Sequence, residues 1–175
     1  MNNSIRALSL VCLLSAAAAC TPFATYPQGD RPVPPHAAVN DPIPTLMAVS
    51  IEWSNRLYGT SDDPAINLPP GSSPDLYQRV IRRLHTGHPM LDPKEPAIHV
   101  MQVRSRGLRG DIDIFVPKAD GTYAFATVTF FRDPFKGYVH EHTRWWETGD
   151  VPPGPNYGMP PAEQPAERQP VLAHD

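Results

Sequence analysis

His140-Glu141-His142, set in a run of strand-forming residues, is the sharpest chemical pattern in this chain. In an extended strand side chains alternate, so both imidazoles would project from one face with Cα atoms about 6.5–7 Å apart, close enough to share a metal ion. A third ligand would have to come from another strand, and Asp113, the best placed, is expected to be claimed by Arg104. The same alternation adds Tyr138, Arg144 and Trp146 to that face, next to Thr127 and Thr129 of the preceding strand. A ligand-binding face of Thr127, Thr129, His140, His142, Arg144 and Trp146 is therefore expected, ringed by Phe115, Tyr123, Phe125 and Phe131, with Val139, Thr143 and Trp145 turned into the core. There is no Gly-rich phosphate loop, CxxC, HExxH or GxSxG pattern. No catalytic residue and no cofactor is assigned from sequence.

These residues need a sheet to hold them. Residues 97–148 are dense in β-formers with turn signals at near-regular spacing, which predicts four antiparallel strands in a meander: AIHVMQVRSR, DIDIFVPK, TYAFATVTFFR and GYVHEHTRWWET. A four-residue loop at Gly107 to Gly110 would set Arg106 opposite Asp111 and Arg104 opposite Asp113. Ala119-Asp120-Gly121 suits a type I turn closed by a left-handed glycine, pairing Val116 with Ala124, Ile114 with Ala126 and Ile112 with Val128. One sheet face is then aliphatic, with Met101 and Val103 joining it.

Two helices are expected to cover that aliphatic face. The first, Thr45 to Tyr58, carries Leu46, Val49, Trp53 and Leu57 at helical spacing with Thr45 as N-cap, although alternation at Val49, Ile51 and Trp53 also fits a strand. The second opens on Ser73-Pro74-Asp75, a side-chain cap followed by proline at the first helical position and a carboxylate at the positive dipole end. Its stripe is Leu76, Tyr77, Val80, Ile81 and Leu84, with Arg79, Arg82 and Arg83 opposite. Ala65 to Leu68 reads as a short strand, Asp62-Asp63 as a solvated turn, and His85 and His88 as partners of the helix C-terminus. The fold class is α+β: two helices on a four-stranded antiparallel meander. By element order it resembles the cystatin-like and nuclear-transport-factor-like shapes, whose concave sheets hold small molecules; the plainer alternative is a face partly covered by the chain's tails.

Of 175 residues, 23 are proline. Seven fall between Pro22 and Pro44 and seven between Pro152 and Pro170, which predicts one folded unit, 45–150, between a Pro-rich tether (20–44) and a Pro-rich disordered tail (151–175). Within 45–150, Lys and Arg number 12 against 13 Asp and Glu, so no net field attracts nucleic acid, and nucleic-acid binding is discounted.

The first 19 residues read as an export signal: Arg6, then an apolar run from Ala7 to Ala19 too short to remain as a membrane span. Its end, Leu14-Ser15-Ala16-Ala17-Ala18-Ala19-Cys20, resembles the lipobox of bacterial lipoproteins, with Ala17 where that family most often has Leu. Ala17-Ala18-Ala19 also meets the small-x-small rule of ordinary signal peptidase, and both cut before Cys20. The resemblance covers the signal alone. It implies lipid attachment at Cys20, anchoring to a membrane of the cell envelope, and a domain facing the periplasm or exterior. A non-enzymatic domain that binds an envelope protein or polymer is the expected function, and a small enzyme or metal-dependent binder centred on His140 and His142 is the alternative.

Overall fold

The computed structural model describes residues 23–27, 38–59, 61–147 and 151–158. The signal segment, Cys20 and residues 159–175 lie outside the described residues. The elements run β1 (Phe23–Tyr26), α1 (Ile43–Tyr58), β2 (Ala65–Asn67), α2 (Pro74–Leu84), β3 (His88–Pro89), β4 (Ala97–Arg106), β5 (Arg109–Pro117), β6 (Tyr123–Asp133) and β7 (Gly137–Trp146).

The class is α+β, but the sheet is mixed and seven-stranded, in the order β3-β2-β4-β5-β6-β7 with β1 also on β4. The four-stranded meander is only its larger part. β4 is ten residues long, so its outer edge accommodates two short strands end to end. β2 pairs in parallel with its first half, Ala65 opposite Ala97, and β1 runs antiparallel along its second, Phe23 opposite Arg106 and Tyr26 opposite Val103. β2 and β3 are also parallel, which requires a crossover, and α2 supplies it. The expected 20–44 tether is corrected accordingly. Residues 23–26 belong to the sheet, Tyr26 is buried with its hydroxyl 3.1 Å from that of Ser72, and α1 begins at Ile43.

The β5–β6 register is as expected, Ile112 opposite Val128, Ile114 opposite Ala126 and Val116 opposite Ala124. These side chains with Ile98, Val100, Val103 and Phe130 form the buried face beneath the helices. The β4–β5 register differs by two residues. Arg106 faces Arg109, Arg104 faces Asp111 and Gln102 faces Asp113, because the turn is the two residues Gly107-Leu108, with Gly107 at φ 59°. Glycine at the first central position is what a two-residue hairpin of this twist needs. Gly110 serves packing instead: a Cβ there would collide with the Leu46 side chain of α1.

α1 buries Ile43, Leu46, Met47, Ser50, Ile51 and Ser54, a stripe rotated from the expected one. Leu57 is exposed, and Val49 and Trp53 flank the core. Ser50 tolerates burial because its hydroxyl donates to the Met47 carbonyl at 2.8 Å. Thr45 does not cap the helix; its hydroxyl donates to Asp41, 2.6 Å away. α2 is as expected, with Ser73 accepting from the Leu76 amide at 3.2 Å.

Candidate functional site

The last strand determines what can gather on the outer sheet face. Up to Val139 it pairs in step with β6, Tyr138 opposite Arg132 and Val139 opposite Phe131. His140 then lies opposite Phe130 and His142 opposite Thr129, so Glu141 is an extra residue and the strand bulges there. The bulge reverses the phase. Tyr138 and His140 turn to the helix side, whereas His142, Arg144 and Trp146 turn to the outer side with Thr129, Thr127 and Phe125.

The expected single face is thus divided, and the two histidines project to opposite sides. The His140 ring stacks on Trp53 of α1, centroids 4.9 Å apart and planes at 19°, and meets the edge of Phe130. Its Nε2 is 2.8 Å from the Thr143 hydroxyl. Partial burial, then the charge of His142, push its pKa down. An apolar contact with the helix explains why the strand gives up one residue of regular pairing. Among the described residues, no group of three His, Cys, Asp or Glu is arranged to hold a metal ion. Thr143 and Trp145 do face the helix side, but Trp145 is 44% exposed and is no core residue, while Val139 lies on the outer side.

The outer face is a polar lattice. Arg104 forks onto Asp113 despite the shifted register, with Nη2 2.7 Å from Oδ1, and also reaches Gln102. The Thr127 hydroxyl donates to Asp113 at 2.7 Å and accepts from the Trp146 indole N–H at 2.9 Å. Arg144 lies over the Trp146 ring, 4.0 Å from its centroid. Thr129 donates to Asp111 at 2.8 Å, and Arg109 reaches Glu141 at 2.7 Å. The expected face residues Thr127, Thr129, Arg144 and Trp146 are therefore occupied with one another and with β5. They make a braced wall that fixes the Trp146 ring.

That wall borders an open cleft of about 460 Å³ lined by Tyr58, Lys118, Tyr123, Ala124, Phe125, Trp145, Trp146 and Glu147. It lies where β7 ends, beside the β5–β6 turn and the C-terminus of α1. Tyr58 packs edge-on against Trp145 with centroids 5.5 Å apart, and the Tyr123 hydroxyl accepts from the Ala97 amide at 3.2 Å. Consecutive tryptophans on opposite sides of one strand end give the cleft two indole walls, and Trp146 is 40% exposed. One cation and one anion line it, so ring faces dominate its chemistry. Trp146, expected on the sheet face with Thr127 and His142, lines this cleft together with Trp145, expected in the core, and Tyr58, for which no role is expected; the signal that could have found them is the Trp-Trp doublet at a strand terminus.

Two further clusters were absent from the sequence expectations. His88 is not a helix-end partner: it sits in β3 with Nδ1 3.1 Å from Asp63 and Nε2 2.9 Å from Glu95, and these carboxylates, Glu95 foremost, raise its pKa. Asp62 and Asp63 are exposed in a bend, the solvated turn expected, and Asp63 in addition accepts from the Gly87 amide and the Thr86 hydroxyl, clasping the loop after α2. His85 caps α2 through its backbone, at φ 60°. The second cluster is centred on Asn67, buried opposite His99. Its amide donates to the Gly154 carbonyl at 2.8 Å and lies 3.2 Å from His99 Nδ1; its carbonyl accepts from Tyr77 and from the Asn156 amide at 3.1 Å. Residues 151–158 therefore dock on the domain, which corrects the expected 151–175 tail for that part. His99 Nε2 has no hydrogen-bond partner, and burial pushes the His99 pKa down to about 4.

No protein-family model matches this sequence, and no curated protein or solved structure matches it. Among the described residues no helix is long and apolar enough to cross a membrane.

Proposed function

We propose that the chain is a cell-envelope lipoprotein, attached to a membrane through an acylated Cys20, whose non-enzymatic domain binds its ligand at the aromatic cleft at the end of β7. The observation that carries the binding site is the pair of part-exposed indoles, Trp145 and Trp146, which line one concavity together with Tyr58, Tyr123 and Phe125. Aromatic walls with a few polar edges suit a flat, amphipathic ligand. Lys118 and Glu147 offset one another in the lining and Arg144 is stacked on one face of Trp146, so the remaining free ring faces are what hold a ligand that carries no charge of its own. The ligand class that fits is a neutral envelope polysaccharide, whose sugar rings present C–H faces to indoles and hydroxyls to the rim.

The anchor rests on the small-residue run before Cys20, and several acyl chains would hold it firmly. The alternative centred on His140 and His142 loses its premise, because the bulge at Glu141 sends the two rings to opposite faces. Two measurements test the proposal. Cys20→Ser should release the protein from membranes; persistence there after a high-salt wash would contradict the anchor. The purified domain should co-sediment with insoluble envelope polysaccharide, and Trp146→Ala should weaken this about tenfold through loss of a stacking wall. Retention unchanged in that variant would contradict the site.

A further inference from the structure

We infer that the hairpin end of the sheet, opposite the aromatic cleft, is a membrane-seating surface that takes the headgroup layer of anionic lipid. The inference rests on the proposed acylation of Cys20 and adds to it where the domain lies. Directly paired positions form one row across five strands at this end: Phe23, Arg106, Arg109, Phe131 and Val139. Beyond the row the β4–β5 turn presents Leu108 and the β6–β7 turn presents Phe135, which is 96% exposed. The two turns are adjacent, since the Arg132 amide donates to the Leu108 carbonyl at 2.7 Å. Exposed apolar side chains grouped on adjacent turns are what a soluble surface avoids and an interfacial one uses.

Charge points the same way. Arg106, Arg109, Arg132 and Lys136 lie at this end against Asp133 and Glu141, and Asp41 nearby is matched by Arg83 at 3.0 Å. The Asp133 carboxylate is engaged by the Phe135 and Lys136 amides at 2.8 and 2.9 Å, while Glu141 holds Arg109. Cations beside protruding aromatics match an anionic lipid surface.

Chain length supplies the third argument. β1 begins at Phe23, opposite Arg106, so only Thr21 and Pro22 separate the sheet from Cys20. Three residues span roughly 10 Å at most, not the roughly 70 Å of a full-length extended tether. An acyl anchor at Cys20 would thus hold this end, and no other, against the bilayer. The cleft, at the far end of the same strands, would face away from it.

The test uses the mature chain from Cys20, its sole thiol once Cys12 leaves with the signal, coupled through that thiol to a maleimide lipid. Hydrogen exchange is read on vesicles of phosphatidylcholine alone and on vesicles with roughly 30 mol% phosphatidylglycerol added. Residues 106–109 and 133–137 should exchange at least about fivefold more slowly on the anionic vesicles, the equivalent of one cation held at the surface, and 118–122 should not change. Phe135→Asp and Lys136→Glu, both at exposed turn positions, should abolish the slowing. Equal exchange at the tips with and without anionic lipid, or equal slowing at 118–122, would overturn the seat. Fatty-acid incorporation at Cys20 is read separately in cells: its absence overturns the anchor and the seat together, whereas acylation with unprotected tips overturns the seat alone.

Discussion

Replacing Asn67 with alanine would remove the polar joint that fastens residues 151–158 to the domain. Asn67 is buried and serves Gly154, Asn156, Tyr77 and His99 at once. When it is truncated, the Gly154 carbonyl and Asn156 amide regain water if the segment lifts away. His99 Nδ1 stays inside unpaired beside an Nε2 that already lacks a partner, while the Tyr77 hydroxyl keeps the Leu68 amide as donor and loses only the acceptor of its own proton. A buried polar group left unpaired costs about 1–3 kcal/mol and a lost hydrogen bond about 0.5–1.5 kcal/mol, so the expected loss is about 1.5–4.5 kcal/mol. Urea unfolding of the variant measures that loss directly. Hydrogen exchange at 151–158 supplies the local readout, since protection there should collapse even where the rest of the domain remains folded. Deleting 151–175 from the wild type should destabilise it as well. A loss below about 1 kcal/mol with protection of 151–158 intact would refute the joint.

Three further outcomes follow from the packing and the titrating groups. Gly110→Ala should cost about 1–3 kcal/mol in chemical unfolding, because the new methyl must displace the fully buried Leu46. His140→Ala should cost only about 0.5–1.5 kcal/mol through loss of the Trp53 stack, and Trp145→Ala no more than about 2 kcal/mol because the ring is half exposed; a core-sized loss in the first would contradict the half-open stack on Trp53, and in the second the exposure of the indole. Stability should peak near neutral pH. His99 is held neutral in the fold with a pKa of about 4, so the unfolded chain takes up the proton first and stability falls as pH drops from about 6.5 toward 4, by about 3 kcal/mol at most. His88 has the opposite sign: its raised pKa contributes stability that is present below about 6.5 and lost as pH rises through the folded value. Thermal melts of His99→Asn and His88→Gln across that range should flatten the acid and alkaline limbs respectively.

The parts of the fold legible in the sequence are those with redundant signals. Ser73-Pro74-Asp75 specifies a helix start by three independent effects, and α2 begins there. Ala119-Asp120-Gly121 permits one turn geometry, so the β5–β6 register followed residue by residue. Gly107-Leu108-Arg109-Gly110 was ambiguous because glycine has two uses: Gly107 makes the turn, whereas Gly110 admits a helix, and sequence does not separate them. The Glu141 bulge carries no glycine or proline to mark it, since its cause is the stack of His140 on Trp53, a contact between residues 87 positions apart. β1, β2 and β3, of four, three and two residues, are too short for a period and exist because neighbouring β4 and β2 offer edges. Trp145 differs because of the strand's position: alternation identifies the side, but at the end of an edge strand only Tyr58, the last residue of α1, packs on the ring and the rest stays open to water.

The most direct measurement on the binding proposal is a tryptophan-emission titration of the purified domain with soluble fragments of a neutral envelope polysaccharide, at low and at high salt. Trp145 and Trp146 are part-exposed in the cleft, whereas Trp53 lies under His140, so the emission change should come from the doublet. The wild type should show a saturable blue shift with the same midpoint at both salt concentrations, and Trp146→Ala should move that midpoint about tenfold higher. No saturable shift, an unchanged midpoint in Trp146→Ala, or a midpoint that weakens with salt would contradict a neutral ligand stacked in the aromatic cleft.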